Sequence, residues 1–312
     1  MHSIKSFSHV PVLLNEVIEM LGIIKDKTFL DATFGEGGHT GELLKRGAKG
    51  VLALDRDFEA IQEYKERGPF RGDNRLALIH GRFSKIDELT PQGFDGIVVD
   101  LGASTKQLLS PTRGFSFQHS AALDMRMDQT APQKLEDLLL QIEPEELATA
   151  LRNYAEIPGA HKLARRIVEG VRAGQLCTTG DLASLVKMPG KRHPATRLFM
   201  ALRMLINEEM LEIETGLPKL VRHLKPEGRL VVLTFHSVED RTTKRTLKQL
   251  SGACTCDHHP CLCLRLPLVR WITKHPITPS KDELDNNPRS RSAKLRCVEK
   301  IVESGIASTP LC

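Results

Sequence analysis

The chain has 312 residues, of which 40% are hydrophobic and 27% are charged. It can therefore bury a core and is not disordered overall. No stretch approaches the ~18 consecutive apolar residues of a membrane span, which excludes an integral membrane protein. The first residues lack the apolar region and cleavage site of a secretion signal, so we expect a cytoplasmic protein with no membrane partner. The length predicts two domains, or one large α/β domain with an insertion.

The net charge is only +5, but positive charge is concentrated in two stretches. Residues 161–207 contain nine Lys/Arg against two Asp/Glu, and residues 240–300 contain thirteen against six. Clustered cations bind a phosphate backbone by displacing its counterions, so this distribution favours a polyanionic partner. Two solvated faces would give the same pattern, and composition alone does not separate the two explanations.

The first 110 residues alternate between helix and strand patterns. Apolar residues at helical spacing near the start predict a helix that ends at Gly22. Short apolar runs typical of buried strands follow at 28–33, 51–55, 75–83 and 94–102. Because helix-sized connections separate these runs, we expect right-handed βαβ units in a parallel, doubly wound sheet.

The pattern changes between residues 111 and 205, where every periodic segment is helical. Thr178 or Thr179, together with Asp181, is a start signal for one of these helices. Strand patterns then return at 228–236, 269–273 and 293–302. We therefore predict one α/β domain, formed by residues 1–110 and 206–312, that is interrupted by a helical domain at 111–205.

The sharpest local motif is LDATFGEGGHTGELL at residues 30–44, where a strand ends, glycines follow and a helix begins. Glycine lets the backbone approach a ligand closely, and a helix N-terminus offers free N–H groups to an anion. The next predicted strand ends in Asp55, where a carboxylate can accept hydrogen bonds from ribose hydroxyls. Together these features favour a nucleoside cofactor, although Asp55 or Asp57 could equally cap the next helix.

Both NAD and S-adenosylmethionine fit an adenosine-binding crevice of this kind. The fourth strand ends in Asp100, which places a polar acceptor at the crevice. An exocyclic amine on a nucleobase has a delocalised lone pair, so acceptors must hold its N–H groups while the nitrogen attacks a methyl group. Asp100 is a candidate for that role, and holding the cofactor or capping a helix is the alternative.

Eight motifs occur in a fixed order along the chain. They are DATFGEGGHT, ALDRD, HGRFS, VVDLGAS, RGFSF with LDMRMD, HPATR, TFHSVEDR and NPRSRSAKLR. Over residues 9–300 the sequence therefore resembles the bacterial small-subunit ribosomal RNA cytosine-N4 methyltransferases and their mitochondrial relatives. The resemblance implies a class I methyltransferase-like α/β fold, with a doubly wound, mostly parallel seven-stranded sheet and an inserted helical domain for substrate recognition.

The same resemblance implies the activity and its partners. The cofactor would be S-adenosyl-L-methionine, and the target the N4 amine of a cytosine in the decoding region of 16S rRNA. We expect the RNA to be methylated within the small ribosomal subunit. The sequence leaves open whether free RNA or an assembled subunit is the substrate, and whether the protein is a homodimer.

Matching the motifs residue by residue implies which positions contact the cofactor. They are Gly37, Gly38, His39, Asp55, Phe83, Asp100 and Gln107. In this resemblance the glycine–histidine turn faces the methionine part, Asp55 the ribose and Phe83 the adenine, while Asp100 and Gln107 flank the reacting end.

The resemblance also yields three candidate catalytic residues, Asp100, Ser104 and His236. The chain departs from the family pattern at Ala103-Ser104-Thr105, where the family has Cys or Val followed by two serines, so a hydroxyl role is less secure here. We expect His236 to position the substrate rather than to act as an obligatory base, because a methylated amine loses its proton readily to water.

Six arginines are candidate RNA contacts. They are Arg113, Arg126, Arg197, Arg241, Arg289 and Arg291. The first two lie close in sequence to Phe115 and Phe117, and aromatic rings beside arginines suit an unpaired base. The spacing of the two phenylalanines fits core positions equally well.

Four cysteines, Cys254, Cys256, Cys261 and Cys263, lie within ten residues together with two histidines. Such a group can bind zinc, but its C-x-C spacing is tighter than that of ordinary zinc knuckles. We expect no catalytic metal, because a methyl group on a sulfonium needs no Lewis acid. Whether the cysteines hold a structural zinc ion stays open.

Two alternative functions remain. A class I methyltransferase acting on DNA, protein or a small molecule would share the cofactor turn, but DNA cytosine-N4 enzymes typically carry a Pro-Pro-aromatic run where this chain has DLGAST. A non-catalytic RNA-binding protein of ribosome assembly would tolerate damage to the turn, yet GEGGH and Asp55 are intact.

Overall fold

A computed structural model of the chain describes residues 11–91, 93–186, 195–254 and 266–302. The chain divides into two compact units, Met1–Gly102 with Leu211–Cys312, and Ala103–Met210. The division falls eight residues before the first predicted domain boundary and five residues after the second. That the second unit recognises the substrate stays a prediction.

The first unit is built on a sheet of seven strands. They are β1 Thr28–Asp31, β2 Gly50–Asp55, β3 Leu76–His80, β4 Phe94–Asp100, β5 Leu224–Thr234, β6 Val269–Trp271 and β7 Lys294–Lys300. Their order in the sheet is β3-β2-β1-β4-β5-β7-β6. All neighbours are parallel except β5 with β7 and β6 with β7, which are antiparallel. The predicted fold class is therefore confirmed, and a strand is present at each of the seven predicted positions.

Thirteen α-helices accompany the sheet within the described residues. They are α1 Leu14–Leu21, α2 Gly38–Lys45, α3 Phe58–Arg67, α4 Ile86–Leu89, α5 Thr105–Leu109, α6 Leu135–Gln141, α7 Pro144–Ala155, α8 Ala160–Arg172, α9 Thr179–Ser184, α10 Ala195–Ile206, α11 Glu209–Arg222, α12 Ser237–Leu250 and α13 Lys281–Asn286. None of them is long and apolar enough to cross a membrane. Gly22 caps α1 at φ 80°, as its position predicted.

The third predicted strand ends earlier than expected. The apolar run at 75–83 predicted a strand through Phe83, but β3 ends at His80 and a 3₁₀ helix covers Phe83–Lys85. The side chain of Phe83 is turned into the core there and is 5% exposed. The apolar character of Phe83 therefore reflects its burial in the core, and not a continuation of the strand.

The second unit contains helices packed around its own apolar core. Buried side chains from α6, α7, α8, α9 and α10 form this core. Thr178, and not Thr179, caps α9, and Asp181 completes the capping box. Phe115 is buried, and Phe117 packs edge-on against Phe199 with ring centroids 5.3 Å apart. The two phenylalanines therefore take the core positions that their spacing allowed.

Asp95 ties three central strands together at their amino-terminal ends. Its Oδ2 accepts hydrogen bonds from the backbone N–H and hydroxyl of Thr28 in β1, both at 2.9 Å, and from Lys225 in β5 at 2.7 Å. Burial alone would raise the pKa of Asp95, but the bonds from Lys225 and Thr28 outweigh it and lower the pKa to about 2. The ionised form thus stabilises the fold.

We expect Asp95→Asn to lower the free energy of unfolding by about 1–2 kcal/mol at pH 7. The folded pKa lies below the unfolded value of 3.8, so the stabilisation is complete above the unfolded pKa and is lost as the pH falls through the folded one. Urea unfolding at several pH values measures the difference in unfolding free energy between the parent and the variant. This difference should be about half as large at pH 3 as at pH 7. The control is Glu19→Gln, on the exposed side of α1, which should leave the free energy of unfolding nearly unchanged. A loss of stability in Asp95→Asn that does not depend on pH would contradict the assignment.

Candidate cofactor and substrate site

The turn after β1 has the strand–turn–helix geometry that its glycines predicted. Gly37 precedes α2 at φ 79°, and a Cβ there would lie 2.7 Å from the rings of both Phe34 and Tyr64. Gly35 is also left-handed, at φ 54°, but a Cβ there would meet nothing within 4 Å. The turn is therefore closely packed at Gly37 and open at Gly35, which leaves room for a ligand against its backbone.

The Asp55 carboxylate stabilises this turn through hydrogen bonds. Its Oδ2 accepts the Gly35 N–H at 2.6 Å, and its Oδ1 accepts the Asp57 N–H at 2.7 Å. The side chain that caps α3 is Asp57, which accepts the N–H of Glu59. The capping alternative that the sequence left open for Asp55 therefore applies to Asp57.

Burial raises the pKa of Asp55 to about 6, although the backbone N–H groups of Asp57 and Gly35 oppose the shift. The Asp55 carboxylate already accepts two backbone N–H groups. It can accept two ribose hydroxyls as well only when it is ionised, because the protonated form has fewer acceptor sites. A ligand that donates hydroxyl hydrogens to Asp55 therefore binds better above this pKa than below it.

A second cluster joins the ends of β1 and β4. The Asp100 N–H donates to the Thr33 hydroxyl at 2.6 Å, and His39 Nε2 lies 3.5 Å from Asp100 Oδ2. Burial lowers the pKa of His39, but the carboxylates of Asp100 and Asp31 outweigh it and raise that pKa above its usual value. The two groups thus favour an imidazolium–carboxylate pair.

This cluster has buried polar atoms without partners. Among the described residues, nothing forms a hydrogen bond with Asp100 Oδ1 or with Nδ1 of His39. Buried groups of this kind normally find a partner, so their presence at a strand end indicates where a polar ligand binds.

Phe83 is held in place by α11. Its ring lies against Gly216, where a Cβ would be 2.3 Å from the ring. The residues on either side are bonded to the buried carboxylate of Glu212, which accepts Arg82 Nε at 2.7 Å and the N–H and hydroxyl of Ser84 at 2.8 and 2.7 Å. Sequence reasoning missed Glu212 and Gly216, although their i, i+4 spacing places both on one face of α11.

Ser104 and Gln107 form a capping box at the start of α5. The Ser104 hydroxyl accepts the Gln107 N–H at 3.2 Å, and the Gln107 side chain accepts the Ser104 N–H at 3.0 Å. These bonds give both residues a structural role. Catalysis by Ser104 and a cofactor contact from Gln107 stay predictions.

His236 lies at the carboxyl end of β5, as expected. Its Nδ1 accepts the Glu239 N–H at 3.3 Å and so caps α12. Its Nε2 lies 2.7 Å from Oε1 of the buried Glu239. The cap at Nδ1 fixes the orientation of the ring, and a positioning role for His236 stays a prediction.

The structure gives Arg113 and Arg126 structural roles. Arg113 is buried and donates to the carbonyls of Arg126 and Met127 at 3.1 and 2.7 Å. Arg126 forms a two-pronged ion pair with Asp124, with both bonds at 2.8 Å. An RNA contact at either arginine stays a prediction, and these bonds count against it.

The remaining candidates are exposed or lie outside the described residues. Arg197, Arg241, Arg289 and Arg291 all have exposed side chains. Of the four clustered cysteines, Cys254 is half-buried, whereas Cys256, Cys261 and Cys263 lie outside the described residues. Zinc binding by this run therefore stays a prediction.

The sheet order, the glycine turn and the carboxylates at the strand ends define a class I methyltransferase. The sequence model of the MraW methylase family matches residues 6–301, and the chain belongs to this family. S-adenosylmethionine is the cofactor.

Its relatives match over nearly their whole length. The chain is 40% identical over 308 residues to ribosomal RNA small subunit methyltransferase H of Carboxydothermus hydrogenoformans, covering 95% of this chain and 98% of the relative. It is 39% identical over 312 residues to the protein of the same name from Symbiobacterium thermophilum, covering 95% and 98%. A solved rRNA methylase from Streptococcus thermophilus is 12% identical, covers 91% of this chain and 92% of its own, and has a TM-score of 0.40.

We expect the affinity for S-adenosylmethionine to fall as the pH decreases through about 6, the pKa of Asp55. Asp55→Asn cannot ionise, so it should bind at least about tenfold more weakly at pH 8 and lose the pH dependence that Asp55 causes. Calorimetry between pH 5 and pH 8 measures both effects. Glu66→Gln, exposed on α3, is the control, and parent-like affinity in Asp55→Asn would remove this carboxylate from the site.

We expect Arg113→Met to lower the free energy of unfolding by about 2–3 kcal/mol, because two buried carbonyls lose a charged donor. Arg197→Gln, on the surface, should change it by less than about 0.5 kcal/mol. Denaturant unfolding of both variants tests this. Unchanged stability of Arg113→Met, combined with weaker RNA binding, would restore Arg113 as an RNA contact.

Proposed function

We propose that this protein transfers a methyl group from S-adenosylmethionine to the N4 amine of a cytosine in the decoding region of 16S ribosomal RNA. The observation that carries the proposal is the identity of about 40% to ribosomal RNA small subunit methyltransferases H over nearly the full length of both chains. The intact turn and strand-end carboxylates support an active enzyme over a non-catalytic assembly protein.

The residues at the strand ends fit the cofactor. S-adenosylmethionine supplies a methyl group that is already activated on a positively charged sulfur. The open face at Gly35 and the Asp55 carboxylate suit its ribose. Asp100 Oδ1 and His39 Nδ1, which have no hydrogen-bond partner among the described residues, suit its polar end. We further propose that Phe83, anchored to α11, lies beside the adenine, and that Gly37, Gly38 and Gln107 complete the contacts.

Asp100 is the best placed group to orient the target amine. An acceptor there would hold one N–H of the amine, and so favour the pyramidal nitrogen that attacks the methyl carbon. S-adenosylmethionine would supply the methyl carbon for the new N–C bond, and the electron pair of the broken S–C bond would stay on its sulfur. The methylated nitrogen then loses a proton to water, so His236 need only position the base.

The further expectations about partners belong to the same proposal. The substrate is the RNA within the small ribosomal subunit, which places the protein in the cytoplasm, and the second unit contributes to recognition of that RNA. Exposed cations on its surface, Arg165, Arg166 and Arg197, support this role. A homodimer is compatible with the proposal and is not required by it.

The decisive experiment incubates purified protein and cofactor with small subunits, or with naked 16S rRNA, from a strain that lacks this methylation. Mass spectrometry of the nucleosides should detect N4-methylcytidine at one position. Asp100→Asn should slow its formation by about 10²–10³-fold, the scale of one oriented hydrogen-bonding group in an active site.

Glu66→Gln should match the parent. RNA binding without any methyl transfer would favour the assembly protein, and transfer to DNA or protein but not to rRNA would favour the other class of substrate. Comparison of the two RNA substrates shows which one the enzyme uses.

A further inference from the structure

The exposed side of α12 carries a row of cations. Arg241, Lys244, Arg245 and Lys248 occur at i, i+3, i+4 and i+7, which places them on one face of the helix. The positions between them, Thr242, Thr243, Thr246 and Leu247, are buried. The basic stretch noted in the sequence at 240–300 therefore includes an ordered helical stripe, and not only scattered surface charge.

This stripe borders a groove of about 440 Å³ between α12 and β7. Its lining is almost entirely cationic: Asp240, Arg241, Lys244, Arg245, Lys248 and Arg296. Asp240 is the one acidic group of the lining, and its carboxylate is already bonded to Arg296 at 2.7 Å and to Lys294 at 2.9 Å. These two cations neutralise Asp240, so it adds little repulsion towards an incoming anion.

Three cations of the stripe have no acidic partner among the described residues. Arg245 is paired with Glu214. In the described part of the chain, no carboxylate forms an ion pair or hydrogen bond with Arg241, Lys244 or Lys248. Like charges gathered along a groove repel one another and raise the local concentration of anions. A bound polyanion would relieve that repulsion.

We propose that the α12 groove binds the phosphate backbone of the RNA next to the target base. The inference rests on the proposed function and adds Lys244, Arg245 and Lys248 to the RNA-binding surface. The helix begins directly after His236 at the carboxyl end of β5, so the stripe starts at the edge of the sheet where the cofactor turn lies. From Arg241 to Lys248 it extends about 10 Å along the axis, the rise of about three nucleotides of one strand.

The chemistry of the face favours nucleic acid over a lipid surface. A membrane-binding helix needs exposed apolar side chains opposite its charges or among them. The exposed residues of α12 are Ser237 and the four cations. A row of point charges and guanidinium groups without apolar anchors matches a phosphate backbone, which offers charge at regular intervals.

The test neutralises the three unpaired cations together, as Arg241→Gln, Lys244→Gln and Lys248→Gln, because Gln keeps the helix propensity close to that of Lys. A matched triple variant, Lys65→Gln, Arg67→Gln and Arg71→Gln, removes the same charge from exposed positions on and after α3. Binding of the full-length proteins to a 16S rRNA transcript is measured as a function of salt. Melting temperature and calorimetric S-adenosylmethionine affinity verify that each variant is folded.

The slope of log K against log salt should fall by about 2 in the α12 variant, since each single-strand phosphate contact contributes about 0.7. The affinity should fall about a hundredfold at 0.1 M salt, with cofactor affinity unchanged. An α12 variant that matches the α3 variant in slope and affinity would overturn the proposal. A parent protein that neither binds nor methylates rRNA would instead refute the proposed function, so the two failures are distinguishable.

Discussion

The structure of the first unit depends on three carboxylates at the carboxyl ends of neighbouring parallel strands. Asp31, Asp55 and Asp100 end β1, β2 and β4, which are adjacent in the sheet. Parallel pairing brings such strand ends to one edge, so three like charges must be accommodated together. How each is satisfied determines the conformation of the turn, the start of α2 and the chemistry that the crevice can perform.

Each of the three carboxylates is stabilised by different neighbours. Asp31 accepts the hydroxyl of Thr40 at 2.7 Å, and burial, outweighing His39 and Thr40, raises its pKa. Asp55 takes two backbone N–H groups from the loops on either side of it. Asp100 faces the His39 imidazole, and its other oxygen has no hydrogen-bond partner in the described part of the chain. The crevice is thus short of positive charge and of donors, which a sulfonium, an ammonium and ribose hydroxyls would supply.

The sequence predicted the elements well because their signals are local. A continuous apolar run, a glycine after the last helical turn and a threonine three residues before an aspartate each reflect contacts within a few residues. The seven strand positions and the cap at Gly22 were therefore predictable, and the cap of α9 was narrowed to Thr178 or Thr179. The glycine turn belongs to the same group, since its conformation depends on neighbouring residues.

The site contained features that no local signal could reveal. Glu212 reaches Ser84 across 128 positions of sequence, and nothing in the helical pattern of α11 indicates which buried glutamate has a partner. Arg113 resembled an RNA-binding arginine because aromatic residues follow it, whereas its carbonyl partners are visible only once the loop is folded. Charged residues whose role depends on tertiary contacts are the ones that sequence patterns assign least well.

The charges of the first unit are separated according to the two kinds of ligand that the proposed reaction requires. Carboxylates are concentrated in the crevice, where the cofactor carries positive charge, and unpaired cations are concentrated along α12, where a phosphate backbone would run. An acidic crevice repels phosphates and admits the amine edge of a base, which presents only hydrogen-bond donors there. The crevice and the α12 groove would therefore act together. In the proposed reaction the cations would hold the backbone outside the crevice, and the carboxylates would accept the one group of the nucleotide that is to be methylated.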